Sequence, residues 1–123
     1  MVLGLVRDLF FRSKLDAIAE SVGVILNYAS TLDVAVERCA KDSPALVLVD
    51  LSDGSFPASE TASRLRAAAP STTIVGFASH IDLKPLRAAR DAGFDKALSR
   101  SEFTAQLSEL IRGGSGKSQS PVK

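Results

Sequence analysis

The chain has 123 residues, of which 46% are hydrophobic and 24% charged, with a formal net charge of +1 at pH 7. That length suits one domain with a single core, and the balance is that of an ordinary globular protein. Removing the two lysine charges of the acid-free last eleven residues from +1 leaves residues 1–112 at −1, which argues against a nucleic-acid surface built on phosphate neutralisation.

Val2 to Val6 forms a short apolar run that predicts a strand. Arg7 and Asp8 interrupt it too early for a signal peptide, and no apolar run approaches membrane-spanning length, so we expect a cytoplasmic protein with no membrane partner. From Asp8 to Ser21, Leu9, Phe10, Leu15, Ile18, Ala19 and Val22 recur at helical spacing, with Asp8 as the N-cap and Gly23 as the stop. One of Phe10 and Phe11 belongs to the core at this spacing. The other, with Leu9, is either the margin of a broad apolar stripe or an exposed patch for a partner. Val24 to Tyr28 predicts a second strand. Thr31 to Lys41 predicts a helix capped by Ser30 and closed by Pro44. Cys39, the only cysteine, belongs to that helix as a small buried side chain and excludes an intrachain disulfide.

Ala45 to Asp50 reads as a third strand, and "SDGS" supplies the turn after it. Leu46, Val47, Leu48 and Val49 do not alternate with polar residues, which is the pattern of a strand buried on both faces. The run ends on the carboxylate of Asp50, and a charge there is costly unless something compensates it. Pro57 to Ala69 predicts a helix that Pro70 ends, and Thr72 to Ala78 a fourth strand. A fourth helix follows with Asp82 as its cap, Pro85 in its first turn and Gly93 at its end. Ala97 and Leu98 form a short fifth strand, and Ser101 starts a last helix carrying Phe103, Leu107, Leu110 and Ile111.

Strand and helix alternate five times with short connections, which implies a doubly wound α/β fold with a parallel sheet. Ligands of such sheets bind beyond the carboxyl ends of the strands, where Asp50 falls. Two other features carry less. "GGSGKS" imitates part of a phosphate-binding loop, but the first glycine of that motif would fall at Ile111, and no strand feeds it. It belongs to a Gly/Ser-rich tail, residues 113–123, expected to be disordered. Ser79, His80 and Asp82 have the letters of a hydrolase triad, yet they are sequence neighbours with no exposed-nucleophile turn, so no enzyme is expected.

"PALVLVDL" and "RAARDAGFDKALSR" carry a resemblance. Over residues 1–112 the chain resembles the receiver (CheY-like) domain of two-component response regulators. The resemblance implies a flavodoxin-like (βα)5 fold with strand order 2-1-3-4-5. It also implies a phospho-accepting aspartate fed by a histidine kinase with Mg²⁺, an acidic pair after the first strand, a Ser/Thr ending the fourth, and an aromatic and a lysine on the fifth. Matched position by position, Asp50 is the phospho-acceptor. The acidic pair falls at Val6 and Arg7, with Asp8 a remnant or an N-cap; the hydroxyl falls at Ala78, with Ser79 one residue late. The aromatic is Ala97, the lysine Arg100, and the proline after it Ser101.

Transfer of a phosphoryl group to a carboxylate brings two anions together, and a divalent cation normally cancels the repulsion. Val6 supplies no oxygen ligand, and Arg7 brings a cation of its own. We therefore expect Asp50 to be a vestigial carboxylate paired with Arg7 or Arg100, or else a solvent-exposed strand end. The expected function is that of a pseudo-receiver without a cofactor, acting through a protein partner in a signalling pathway. A working Mg²⁺-dependent phospho-receiver and a small-ligand sensor in the strand-end crevice are the alternatives. Arg87, Arg90, Asp91, Asp95, Lys96, Glu109 and Arg112 mix both signs along the fourth helix, fifth strand and fifth helix. In many receivers that face forms a two-fold dimer, which needs a self-complementary surface. We expect no output domain, unless the tail is a truncated linker to one.

Overall fold

The computed structural model describes residues 1–78 and 83–113. Five strands, β1 (Val2–Leu5), β2 (Leu26–Tyr28), β3 (Leu46–Asp50), β4 (Thr73–Ala78) and β5 (Lys96–Ser99), alternate with five helices. These are α1 (Leu9–Val22), α2 (Leu32–Asp42), α3 (Ala58–Ala68), α4 (Lys84–Ala92) and α5 (Arg100–Gly113). All strand pairs are parallel and the order is β2-β1-β3-β4-β5, as expected.

The central strands explain the architecture. Every residue of β1 and β3 is buried, because each side chain of a strand covered on both faces enters one of two cores. Val2, Val6, Leu46, Leu48, Val75 and Phe77 join Phe11 and Leu15 of α1 and Phe103, Leu107 and Ile111 of α5. Leu3, Leu5, Val47, Val49 and Ile74 join α2, α3 and α4, through residues such as Cys39, Leu65 and Ala89. The two-residue period of the strand therefore decides which helix layer each side chain meets. Cys39 is buried as expected, and burial pushes its thiol up to about 11. Gly76 is tight for a physical reason: a Cβ there would lie 2.6 Å from Leu51 Cδ1 and 2.9 Å from Phe94 Cε2.

Element ends differ from expectation where backbone groups are already committed. Asp8 does cap α1, its Oδ1 accepting from the N–H groups of Phe10 (2.9 Å) and Phe11 (3.2 Å). Gly23 ends the helix at φ 72°, and the Val24 N–H turns back to Ala19 O (2.9 Å), so β2 starts only at Leu26. Thr31, not Ser30, caps α2 by accepting from Val34 N; the Ser30 hydroxyl instead accepts from Arg12. The Thr72 hydroxyl donates to Pro44 O, and its N–H donates to Ala69 O, so β4 starts at Thr73. Helix α5 starts at Arg100 rather than Ser101, because Ser99 and Glu102 cap it reciprocally. Ser99 Oγ accepts from Glu102 N (3.2 Å), and Glu102 Oε1 accepts from Ser99 N (2.9 Å). Pro85 sits in the first turn of α4 as expected, behind Leu83 at the N-cap position. The expected Asp82 cap and the Gly/Ser-rich tail after Gly113 lie outside the described residues.

Phe77 and Phe103 stack at 4.2 Å between centroids, with Phe11 at 5.2 Å and 6.1 Å from them, joining β4, α1 and α5. Replacing the fully buried Phe103 with alanine is expected to lower the unfolding free energy by about 3–5 kcal/mol, measured by chemical denaturation. A loss below about 1 kcal/mol would mean that the α1–α5 core collapses around the gap.

Candidate functional site

Asp50 ends β3 one residue past the Leu5–Val49 pair, which sets it level with Val6, the residue just after β1. Strand alternation puts it on the side of Leu46 and Leu48, towards α1 and α5. It is 7% exposed, which corrects the expectation of a solvated strand end. Its Oδ1 accepts from Ser52 N at 3.0 Å, closing the turn that starts the β3–α3 loop. Burial pushes the carboxyl above the usual aspartate range. The Ser52 N–H and the charge of Arg100 pull it down without cancelling that effect, and Asp53 and Asp8 add to it.

Neither arginine pairs with Asp50, contrary to expectation. Val6 is fully buried with the α1–α5 core, so the chain turns Arg7 to the opposite side, over the β3–α3 loop. There its Nη1 donates to Ser55 Oγ at 2.6 Å and lies 3.5 Å from Asp53 Oδ1. Arg100 opens α5 directly after β5, and its guanidinium lies over the rings of Phe11 (4.7 Å) and Phe77 (5.6 Å). It reaches Asp50 through its field and not through a salt bridge. Asp8 spends its side chain on the α1 cap. Ala78 and Ala97 are buried with the α2–α3–α4 core, next to each other in strand order. Ser79, His80 and Asp82 lie outside the described residues. Among the described residues, no three His, Cys, Asp or Glu side chains are grouped so as to hold a metal ion.

The mixed-charge face divides into two. Arg87 and Arg90 of α4 meet Ser99, Ser101 and Glu102 around a cleft of about 520 Å³ floored by Leu83 and Leu86, and Arg90 also donates to Ala97 O. Asp91, Lys96, Glu109 and Arg112 are exposed and do not line this cleft, Lys96 reaching Gln106 at 3.5 Å. Asp95 does not belong to this face. It accepts from Ile74 N (2.8 Å) and from Arg66 of α3 (2.7 Å). Burial alone would raise its carboxyl, but those two partners outweigh it and hold it low. At the rim near Asp50, Phe11 is core while Leu9 and Phe10 are 73% and 76% exposed.

Several of these contacts were missed from the sequence. The "SRSE" stretch at 99–102 is a capping box legible on inspection. The Arg7–Ser55 and Arg66–Asp95 contacts span 48 and 29 residues, and no local signal announces them.

The fold has counterparts among solved structures, and the chain has the receiver fold of response regulators. It superposes with a TM-score of 0.77 on the receiver domain of a sensor histidine kinase from Pseudomonas aeruginosa PAO1, crystallised with magnesium in its active-site cleft. The identity is 14%, covering 94% of this chain and 97% of that one. A CheY-like receiver domain protein from Methanospirillum hungatei matches with a TM-score of 0.72 at 15% identity, over 89% of this chain and 91% of that one. An orphan response regulator of H. pylori matches with 0.72 at 15%, over 90% and 95%. In sequence, the chain is 29% identical over 90 residues to the transcriptional activator protein ExaE of Pseudomonas putida. That match covers 73% of this chain and 42% of ExaE, so the chain spans less than half the length of this curated relative. No family model matches the chain. No helix among the described residues is long and apolar enough to cross a membrane.

Asp50 gives a signed pH prediction. Because burial raises its pKa in the folded state, ionisation penalises the fold as pH rises above about 4, the unfolded value. An asparagine keeps the acceptor for Ser52 and removes the charge. Asp50→Asn is therefore expected to be stabilising at pH 7, with the gain shrinking towards zero below about pH 4. Denaturation of both proteins across that range measures it, and a gain that does not fade in acid would assign the effect to packing.

Proposed function

We propose that this chain is a phosphorylation-independent receiver domain, a pseudo-receiver, that works by binding a protein partner in a signalling pathway. The observation that carries this reading is the company Asp50 keeps: a buried apolar Val6 and a cationic Arg7 stand where an acidic pair would hold a divalent cation. Mg²⁺ needs several oxygen ligands, usually one or two carboxylates with waters and phosphate. Asp8 is committed to two backbone N–H groups and Arg7 already binds Asp53, so the residues present do not fit such a site. Ala78 has no hydroxyl to follow a phosphoryl group, and Ala97 has no ring to turn in response. A receiver without this apparatus has no catalytic step and needs no cofactor; its output is the surface it presents.

The α4–β5–α5 side is the surface we assign to the partner, through the cleft between Arg87, Arg90 and Glu102. Its remaining charges, Asp91, Lys96, Glu109 and Arg112, carry both signs and also suit a second copy of the chain. A beryllofluoride-activated receiver dimer is among the similar structures, and ExaE is named a transcriptional activator. By analogy we place this domain in the cytoplasm, upstream of an output step.

An amide NMR titration with Mg²⁺ and then beryllofluoride, a mimic of the acyl phosphate, tests the reading. We expect no saturable shifts around Asp50. Saturable shifts there that spread to α4, β5 and α5 would establish a working phospho-acceptor and overturn it.

A further inference from the structure

Asp50 starts a compact run of backbone contacts. Ser52 N bonds to its side chain, Asp53 N to its carbonyl (3.2 Å), and Phe56 N to the Asp53 carbonyl (3.0 Å). Ser55 N bonds to Asp53 Oδ1 at 2.9 Å. The loop is thus held at one end by β3 and at the other by Phe56, which is buried. Arg7 joins its middle to the β1–α1 junction: it bonds Ser55 Oγ and faces the Asp53 oxygen that Ser55 N already uses. The loop also forms a wall of an apolar groove of about 330 Å³, where Leu51, Asp53, Gly54 and Phe56 face Pro85 and Ala88 of α4.

We infer that Arg7 is a built-in clamp: its guanidinium ties the β1–α1 junction to Asp53 and Ser55, and so holds the β3–α3 loop and its groove wall in one geometry without a bound cation. This deepens the phosphorylation-independent reading and rests on it. Both contacts run through one nitrogen, Nη1, which donates to the Ser55 hydroxyl while its charge faces the Asp53 carboxylate. A charge-assisted bond to a hydroxyl is stronger than a neutral one. The ion pair is partly solvated, with the Arg7 side chain 53% exposed, so the clamp acts on local opening and not on global stability.

Amide hydrogen exchange by NMR, with and without millimolar Mg²⁺, reads the clamp in the intact chain. In Arg7→Gln, exchange at Ser52, Ser55 and Phe56 is expected to rise about threefold to tenfold, while Val47 and Val49 in β3 stay protected. Arg7→Lys should recover part of the protection, and Ser55→Ala should lose part of it. Mg²⁺ should leave the wild-type loop unchanged. Exchange in Arg7→Gln equal to wild type would overturn the clamp while leaving the phosphorylation-independent reading intact. Wild-type protection that rises with Mg²⁺ would also overturn it, because the loop would then depend on a bound cation. Beryllofluoride shifts in the wild type would instead defeat the broader reading.

Discussion

A strand with helices on both faces has no solvent side, so every position along it must be apolar until the strand leaves the layer. β1 obeys this throughout and β3 as far as Val49, and the helix layers on either side depend on it. Alternate side chains supply the α1–α5 core and the α2–α3–α4 core, and neither layer has another floor. The same constraint creates the site. Where the buried run stops, the first polar side chain of the central strand stands at the mouth of the sheet with apolar neighbours, and in this chain it is Asp50.

Alternation also sorts the charges around that carboxylate. Val6 goes inward, which sends Arg7 outward to the loop after β3, and so the nearest cation serves Asp53 and Ser55. Arg100 is drawn to the rings of Phe11 and Phe77, which lie on the Asp50 side of the sheet, and compensates the carboxylate only at a distance. Asp50 therefore keeps one backbone donor and a raised pKa instead of a salt bridge.

On the opposite side of the molecule, Arg66 does for α3, β4 and β5 what Arg7 does for β1 and β3. It donates to Thr72 O, Gly93 O and Asp95, while Asp95 accepts from the backbone N–H of Ile74 in β4, just before β5 begins. That use removes Asp95 from the mixed-charge face of α4, β5 and α5, where Arg87, Arg90 and Glu102 line one cleft. The two clamps are alike in form, since each joins neighbouring connections that the sheet alone leaves free.

The number, type and order of the elements were legible in the sequence, because they follow from patterns within a dozen residues. The unbroken run Leu46 to Val49, the caps at Asp8 and Gly23 and the Pro85 turn are local matters of burial and backbone donors. The position of Asp50 at the end of the buried third strand was legible for the same reason. Element ends were less so: Val24, Ser30, Thr72 and Ser99 all turned on which hydrogen bond a single group had already made. What Asp50 faces, and what Arg7, Arg100 and Asp95 bind, only the tertiary structure decided. Those partners come from elements far apart in the chain, and a charge's choice among them depends on which side of a strand its neighbour is forced to occupy.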